Sequence, residues 1–207
     1  MKRFFLVVAL AAGVTAPAAA QWAGMPVWNS PKGGAGVTIS GDYGKPNNVA
    51  GRGGNAFGAR GTVGIGSLSV TAGLASYKPK GASNSRTSYG ADAAFRVIGG
   101  SLLPINVNLL VGGTGASKSG PLSSLTTIVA GGGVSVSLPT PGVSIEPYLS
   151  VTNRWQKVSG SSTKSNVGWT IGIRLQTIDV RLLFHAAVPI TGTATLVCTM
   201  ASSRGAI

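Results

Sequence analysis

Hydrophobic and polar residues alternate with a period of two over most of the chain after residue 35. In segment 166–176, every odd-numbered residue from Val167 to Leu175 is apolar, and the even-numbered residues are polar, charged or glycine. Such alternation is typical of β-strands whose two faces lie in different surroundings. The pattern predicts strands over residues 36–43, 56–65, 68–76, 88–98, 104–114, 126–138, 143–156, 166–176 and 178–188.

The connections between these predicted strands alternate in length. The long ones are polar and rich in Gly, Ser and Lys, and they cover residues 44–55, 78–87, 115–124 and 157–165. The short ones are turns at 66–67, 99–100, 139–142 and 177. An up-and-down sheet with this order has all its long loops at one end, which is typical of outer-membrane barrels. Strands of about ten residues also match the roughly 9–11 residues that cross a bilayer at a tilt.

The N-terminus has the three parts of a secretory signal peptide. Lys2 and Arg3 form a positive region, residues 4–14 are apolar, and three alanines ending at Ala20 precede Gln21. The apolar run is about half of the roughly 20 residues that a transmembrane helix needs, so we expect cleavage rather than anchoring. The sequence therefore predicts a signal peptide at 1–20, cut between Ala20 and Gln21, and a periplasmic arm at 21–34.

Taken together, these features resemble the small bacterial outer-membrane β-barrel proteins of the OmpA/OmpX type. The segment Asn166-x-Gly168-x-x-Ile171-x-Ile173 is similar to the assembly signal that such barrels carry in their last strand, polar-x-Gly-x-x-hydrophobic-x-hydrophobic. The resemblance implies an all-β fold, an antiparallel transmembrane up-and-down β-barrel of 8–10 strands. It also implies location in the bacterial outer membrane and recognition by the outer-membrane assembly machinery.

The end of the chain bears on the number of strands. Segment 178–188 alternates like the earlier strands, and after a short connection the pattern resumes at 193–200. Bacterial single-chain barrels have even strand counts, and a lone additional strand would leave an unpaired edge in lipid. We therefore expect both segments to enter together, which favours ten strands over eight and gives a barrel domain at 35–200 with a tail at 201–207.

Charged residues are sorted by type. The acids and five arginines occupy the polar face of predicted strands, whereas the lysines after residue 20 fall in loops or the N-terminal arm. In a barrel the polar face lines the lumen, where arginine is suited to bidentate pairing with carboxylates. On an open soluble sheet the same charges would simply be solvated. We predict a lumen charge network of Asp42, Arg60, Asp92, Arg96, Glu146, Arg154, Arg174, Asp179 and Arg181.

Aromatic residues cluster beside the long loops. An interfacial girdle of rings at headgroup level belongs at such an end of a barrel. Each ring taken alone would be explained by ordinary packing. The predicted girdle comprises Tyr43, Phe57, Tyr77, Tyr89, Trp155 and Trp169.

Composition supports an all-β chain with basic loops. The 207 residues include 32 glycines, only 10% are charged, and the formal net charge is +13. Glycine does not recur at every third position, which excludes collagen. Such a basic chain raises nucleic acid as a partner, but export and the lack of a basic run interleaved with aromatic residues argue against it. The loop lysines are better suited to the phosphates of outer-membrane lipid, including lipopolysaccharide.

Catalytic signals are weak. His185 shares a strand face with Asp179 and Arg181, but serines are too frequent to single out a nucleophile. With one histidine, one cysteine (Cys198) and four scattered acids, the sequence indicates no metal site and no cofactor. The glycines at 131–133 precede neither a helix nor a Lys-Ser/Thr pair, so they are read as strand glycines that allow close approach rather than as a phosphate loop.

The sequence therefore favours a non-enzymatic outer-membrane barrel, with a monomer favoured. Side chains would fill its small lumen, and its role would be structural or in surface interaction through basic external loops. The alternatives are a narrow porin-like channel, a barrel enzyme acting on lipids or peptides, and a secreted soluble β-sandwich.

Overall fold

A computed structural model describes residues 36–46, 54–78, 80, 82–100, 103–120, 123–141, 143–176, 180–189 and 195–204. The predicted signal peptide, the cleavage site between Ala20 and Gln21, and the predicted arm at 21–34 lie outside the described residues. So does Asp179. In the last two strands, and from Leu175 onward, only the backbone is described.

The described chain is all-β. Alternating side chains and β-branched residues favour extended backbone over nearly its whole length. The strands are β1 Gly36–Pro46, β2 Asn55–Ile65, β3 Leu68–Lys78, β4 Arg86–Ile98, β5 Ile105–Ala116, β6 Leu125–Val136, β7 Leu138–Thr140, β8 Val143–Val158, β9 Lys164–Gln176, β10 Val180–Pro189 and β11 Thr195–Arg204. No helix among the described residues is long and apolar enough to span a membrane.

The strands form one antiparallel up-and-down sheet. Neighbours in sequence pair with each other, except that β6 pairs with β8 and the three-residue β7 pairs only with the start of β8. The first and last strands also pair, over a register that runs from Val37 opposite Arg204 to Pro46 opposite Thr195. Both ends of the described chain therefore meet at the end of the sheet that carries the short turns.

The strand boundaries differ from the sequence-based ones mainly beside the connections. Several strands extend into the segments predicted as long loops, as Arg86, Lys157 and Lys164 show. The turn predicted at 139–142 is partly a ladder, because β7 pairs with Val143–Ile145. Residues 201–204, predicted as tail, are the last residues of β11 and pair with the beginning of β1.

The two faces of the sheet are inverted relative to a soluble protein. Side chains alternate between a buried face and an exposed face along each strand whose side chains are described. Polar and charged residues predominate on the buried face, where Asn106, Glu146 and Thr170 are almost completely inaccessible. The exposed face carries large apolar residues on every strand from β1 to β9, among them Ile39 and Leu74.

Glycine lets neighbouring strands pack closely on the buried face, and Gly131 is an example. A Cβ atom on Gly131 would overlap the carbonyl oxygen of Val151 and lie 2.6 Å from the Cα atom of Thr152. The obstruction is backbone, which cannot swing aside as a flexible side chain can. The close approach predicted for the glycines at 131–133 is therefore present at Gly131.

We predict that Gly131→Ala lowers the free energy of unfolding by about 1–3 kcal/mol, because β6 and β8 must separate to admit the methyl group. Gly61→Ala is the matched control, since a Cβ atom there meets nothing within 4 Å. The control variant should be neutral or slightly stabilised, because Ala loses less backbone entropy than Gly on folding. Urea unfolding followed by circular dichroism measures both, and equal stability of the two variants would contradict the packing at Gly131.

Candidate functional site

Two buried ion pairs lie on the polar face. Asp42 on β1 and Arg60 on β2 meet at 3.0 Å between Oδ2 and Nε, with both side chains almost fully buried. Glu146 on β8 and Arg174 on β9 are direct register partners, and their side chains also form a buried ion pair. Each pair joins neighbouring strands, so each carboxylate has its charge compensated where water is excluded.

Tyr148 is buried on the same face as the Glu146–Arg174 pair, two residues after Glu146 on β8. Its ring packs over Gly172, its register partner on β9, where a Cβ atom would come within 2.6 Å of the ring carbons.

Arg86 is a buried polar residue that the predicted charge network does not include. It lies at the start of β4 and donates from Nε to the carbonyl oxygen of Ser117 at 2.9 Å and from Nη2 to that of Ser123 at 2.7 Å. It thereby ties the connection after β5 to the buried face. Arg86 lies two residues before Ser88 and therefore shares its face of β4, so the alternation of the strand would have identified it.

The remaining members of the predicted charge network are placed as follows. Asp92 is buried, whereas Arg96 is half-buried and donates from Nη2 to the carbonyl oxygen of Gly66 at 3.4 Å. Asp179 lies outside the described residues. Arg181 and His185 lie on β10, whose side chains are not described, so their predicted positions on the polar face stay predictions.

Arg154 differs from the other buried arginines. It lies on β8 and is 3% exposed. Its Nε and Nη2 atoms are buried and have no hydrogen-bond partner among the described residues. The arrangement leaves a guanidinium group on the polar face with no opposing carboxylate in the described part of the chain.

Aromatic rings mark the exposed face near the long connections. Tyr43 and Phe57 are register partners whose ring centroids lie 5.1 Å apart, and the Tyr43 hydroxyl donates to Asn55 Oδ1 at 3.1 Å. Tyr89 and Trp155 are exposed on β4 and β8 near the same end. These four rings lie on the exposed face near the long connections, and their role as an interfacial girdle stays a prediction.

Two predicted girdle members are placed elsewhere. Tyr77 is 6% exposed and belongs to the buried face with Ala56 and Ala116, so its assignment to the girdle was wrong. Tyr77 lies two residues after Ala75 on β3, so the alternation of the strand places both side chains on the buried face. Trp169 is half-buried. It lies near the middle of β9, which begins at Lys164 and so extends further into the preceding connection than predicted.

The lysines follow the predicted sorting at one end of the sheet. Those whose side chains are described are all exposed and lie within or beside the long connections: Lys78, Lys80, Lys118, Lys157 and Lys164. Cationic groups are therefore collected at the end that carries the exposed rings. The part of the chain that the structure describes holds no group of three or more His, Cys, Asp or Glu residues able to bind a metal ion.

We predict that Arg174→Leu destabilises the fold by about 3–5 kcal/mol, because it leaves the buried carboxylate of Glu146 without this cation. The double variant Glu146→Leu/Arg174→Leu should recover much of that loss, since removing both charges of a buried pair costs little. Chemical unfolding of the three proteins measures the coupling. Additive losses in the double variant would show that the two side chains do not act as a pair.

No protein-family model matches the sequence of this chain, and no curated protein matches it either.

Proposed function

We propose that this protein is a transmembrane β-barrel of the bacterial outer membrane, similar in architecture to the OmpA/OmpX type. Its role is structural and in surface interaction rather than catalytic. The observation that carries the proposal is the inversion of its two faces, with charges buried and large apolar residues exposed on the same strands. In water, exposing so much apolar surface would be unfavourable by about 25 cal/mol per Å². In lipid the same surface is favoured.

Strand pairing supports closure of the sheet into a barrel. The pairing register leads from Ser144 on β8 through β9, β10, β11 and β1 to Arg60 on β2. It then continues through β3, β4, β5 and β6 and returns to β8 at Gln156. A sheet that rejoins itself has no free edge, and this is what a lipid environment requires of a β-structure.

The strand tilt follows from the number of residues by which the register is shifted after it has passed through all the strands once. The register returns to β8 about twelve residues further along, and over ten strands this stagger corresponds to a tilt of about 40°. An 11-residue strand such as β2 is then about 36 Å long and covers about 28 Å of membrane thickness. Transmembrane barrels have tilts of about 35–45° and an apolar band about 25 Å tall.

The exposed lysines and rings support an orientation. Tyr43, Phe57, Tyr89 and Trp155 would lie at the membrane–water interface, with the lysine-bearing connections beyond them. Ammonium groups in that position can bind lipid phosphates, including those of lipopolysaccharide. Short turns at the opposite end would face the periplasm, as they do in barrels of this kind.

Cell fractionation tests location and barrel together. We expect the protein in the outer-membrane fraction, with faster gel migration before boiling than after it, because folded barrels resist detergent unfolding. Recovery from the periplasm without detergent would support the soluble sandwich instead.

An arginine on the exposed face distinguishes lipid from water directly. Leu74 is 64% exposed near the middle of β3, so Leu74→Arg should cost about 2–4 kcal/mol in a bilayer. Ser76→Arg, one exposed position nearer the interface, is the matched control and should cost about 0–1 kcal/mol. Folding yield into vesicles, read from heat-modifiable migration, measures both. A soluble protein would tolerate Leu74→Arg as well as the control.

Planar bilayer recordings separate a filled barrel from a channel. Buried side chains such as Tyr148, Arg60 and Val129 occupy the polar face, and a barrel this small has little room beyond its side chains. We therefore expect little or no steady ion current from the purified protein. A stable, reproducible conductance would favour the narrow channel over the structural role.

A further inference from the structure

We propose that Arg154 forms a binding site for an oxyanion, a phosphate or carboxylate group, on the buried face near the long connections. The site goes beyond the proposed function. It depends on the burial of this face and not on the bilayer, so it can fail or hold independently of membrane insertion.

The geometry of the free atoms indicates the ligand. Nε and Nη2 lie on one edge of a guanidinium group, and both are buried on Arg154 with no hydrogen-bond partner among the described residues. This edge donates two parallel hydrogen bonds and matches two oxygens of a carboxylate or phosphate. A single neutral acceptor would leave one donor unsatisfied.

Neither of the two residues that flank Arg154 in the sheet carries a carboxylate. Its register partners are Val129 on β6 and Asn166 on β9. Val129 belongs to a buried apolar cluster with Ala75, Ala94 and Leu110. An arginine beside an apolar cluster is poorly solvated, and an anion entering there would be held more strongly than in water.

The acids among the described residues have partners other than Arg154. Apart from Asp179, the described residues contain all of the chain's acids, and Asp42 and Glu146 pair with Arg60 and Arg174. Asp92 is on β4, and it too has a partner. Asp179 lies outside the described residues.

A second polar atom lies beside the guanidinium group. Thr127 is buried on β6, and its Oγ1 atom has no hydrogen-bond partner among the described residues. In register it faces Gln156, which places it diagonally across the ladder from Arg154, within reach of a long side chain or of an anion bound to it. The hydroxyl can donate a third hydrogen bond to such an anion.

Thermal unfolding in the presence of phosphate tests the site. The folded protein, in a non-ionic detergent that carries no anionic group, is titrated with sodium phosphate against sodium chloride at constant ionic strength. A ligand that binds only the folded state raises the unfolding midpoint with its concentration. We expect a saturable rise for the wild type and for Arg96→Gln, which removes the same charge from a half-buried arginine at the other end of the face. Arg154→Gln should show none.

A parallel titration with sodium acetate distinguishes the two sources of an oxyanion, since the better-matched group will act at the lower concentration. A flat response of the wild type to both anions would overturn the proposal, and so would an unchanged response in Arg154→Gln.

A conservative variant and a direct measurement keep the test decisive if Arg154→Gln does not fold. Arg154→Lys keeps the charge but loses the planar fork, so we expect it to fold and to bind phosphate at least severalfold more weakly. Equilibrium dialysis with labelled phosphate should give about one site per wild-type chain. Equal binding by Arg154→Lys, or no saturable binding by the wild type, rejects the site.

Discussion

Charge compensation inside a single-layer sheet is the constraint on which this structure depends. No second layer among the described elements covers the polar face, yet its side chains are buried. Asp42 with Arg60 and Glu146 with Arg174 neutralise charge at two separate places on that face. An unpaired charge at either place would oppose the burial of the face. The pairs therefore determine how the strands can approach, as well as which neighbours they prefer.

Much of the fold follows from alternation alone. A period of two places each side chain on one of two faces, and the polar or apolar character of a whole strand then identifies the face. This is why the predicted faces of Asp42, Arg60 and Arg174 agree with the structure. Tyr77 shows that position beside a loop is a weaker guide than alternation. Its place next to a long connection indicated the exposed girdle, but the alternation along β3 puts it on the buried face.

The details that sequence could not provide are set by tertiary pairing. Nothing in the pattern of Ala201 to Arg204 is amphipathic, yet these residues are extended because the first residues of β1 offer them a partner. Likewise, alternation along the strands places arginines and acids on one face but does not determine which of them form ion pairs. Arg154 and Arg174 lie on equivalent positions by alternation, but only Arg174 faces a carboxylate, because Glu146 happens to be its register partner. The distinction depends on register, and register depends on the whole sheet.

The pairing of β1 with β11 has a consequence for how the chain folds. Val37 and Arg204 are paired across almost the entire described sequence, so closing this ladder has the largest loop-closure entropy cost among the described strand pairs. Local hairpins can form early, but β1 has only one of its two neighbours until β11 is available. Contacts of such long sequence separation slow folding. The unfinished sheet would meanwhile expose both its apolar face and two open edges. Such an intermediate must be kept from aggregating until its ends meet.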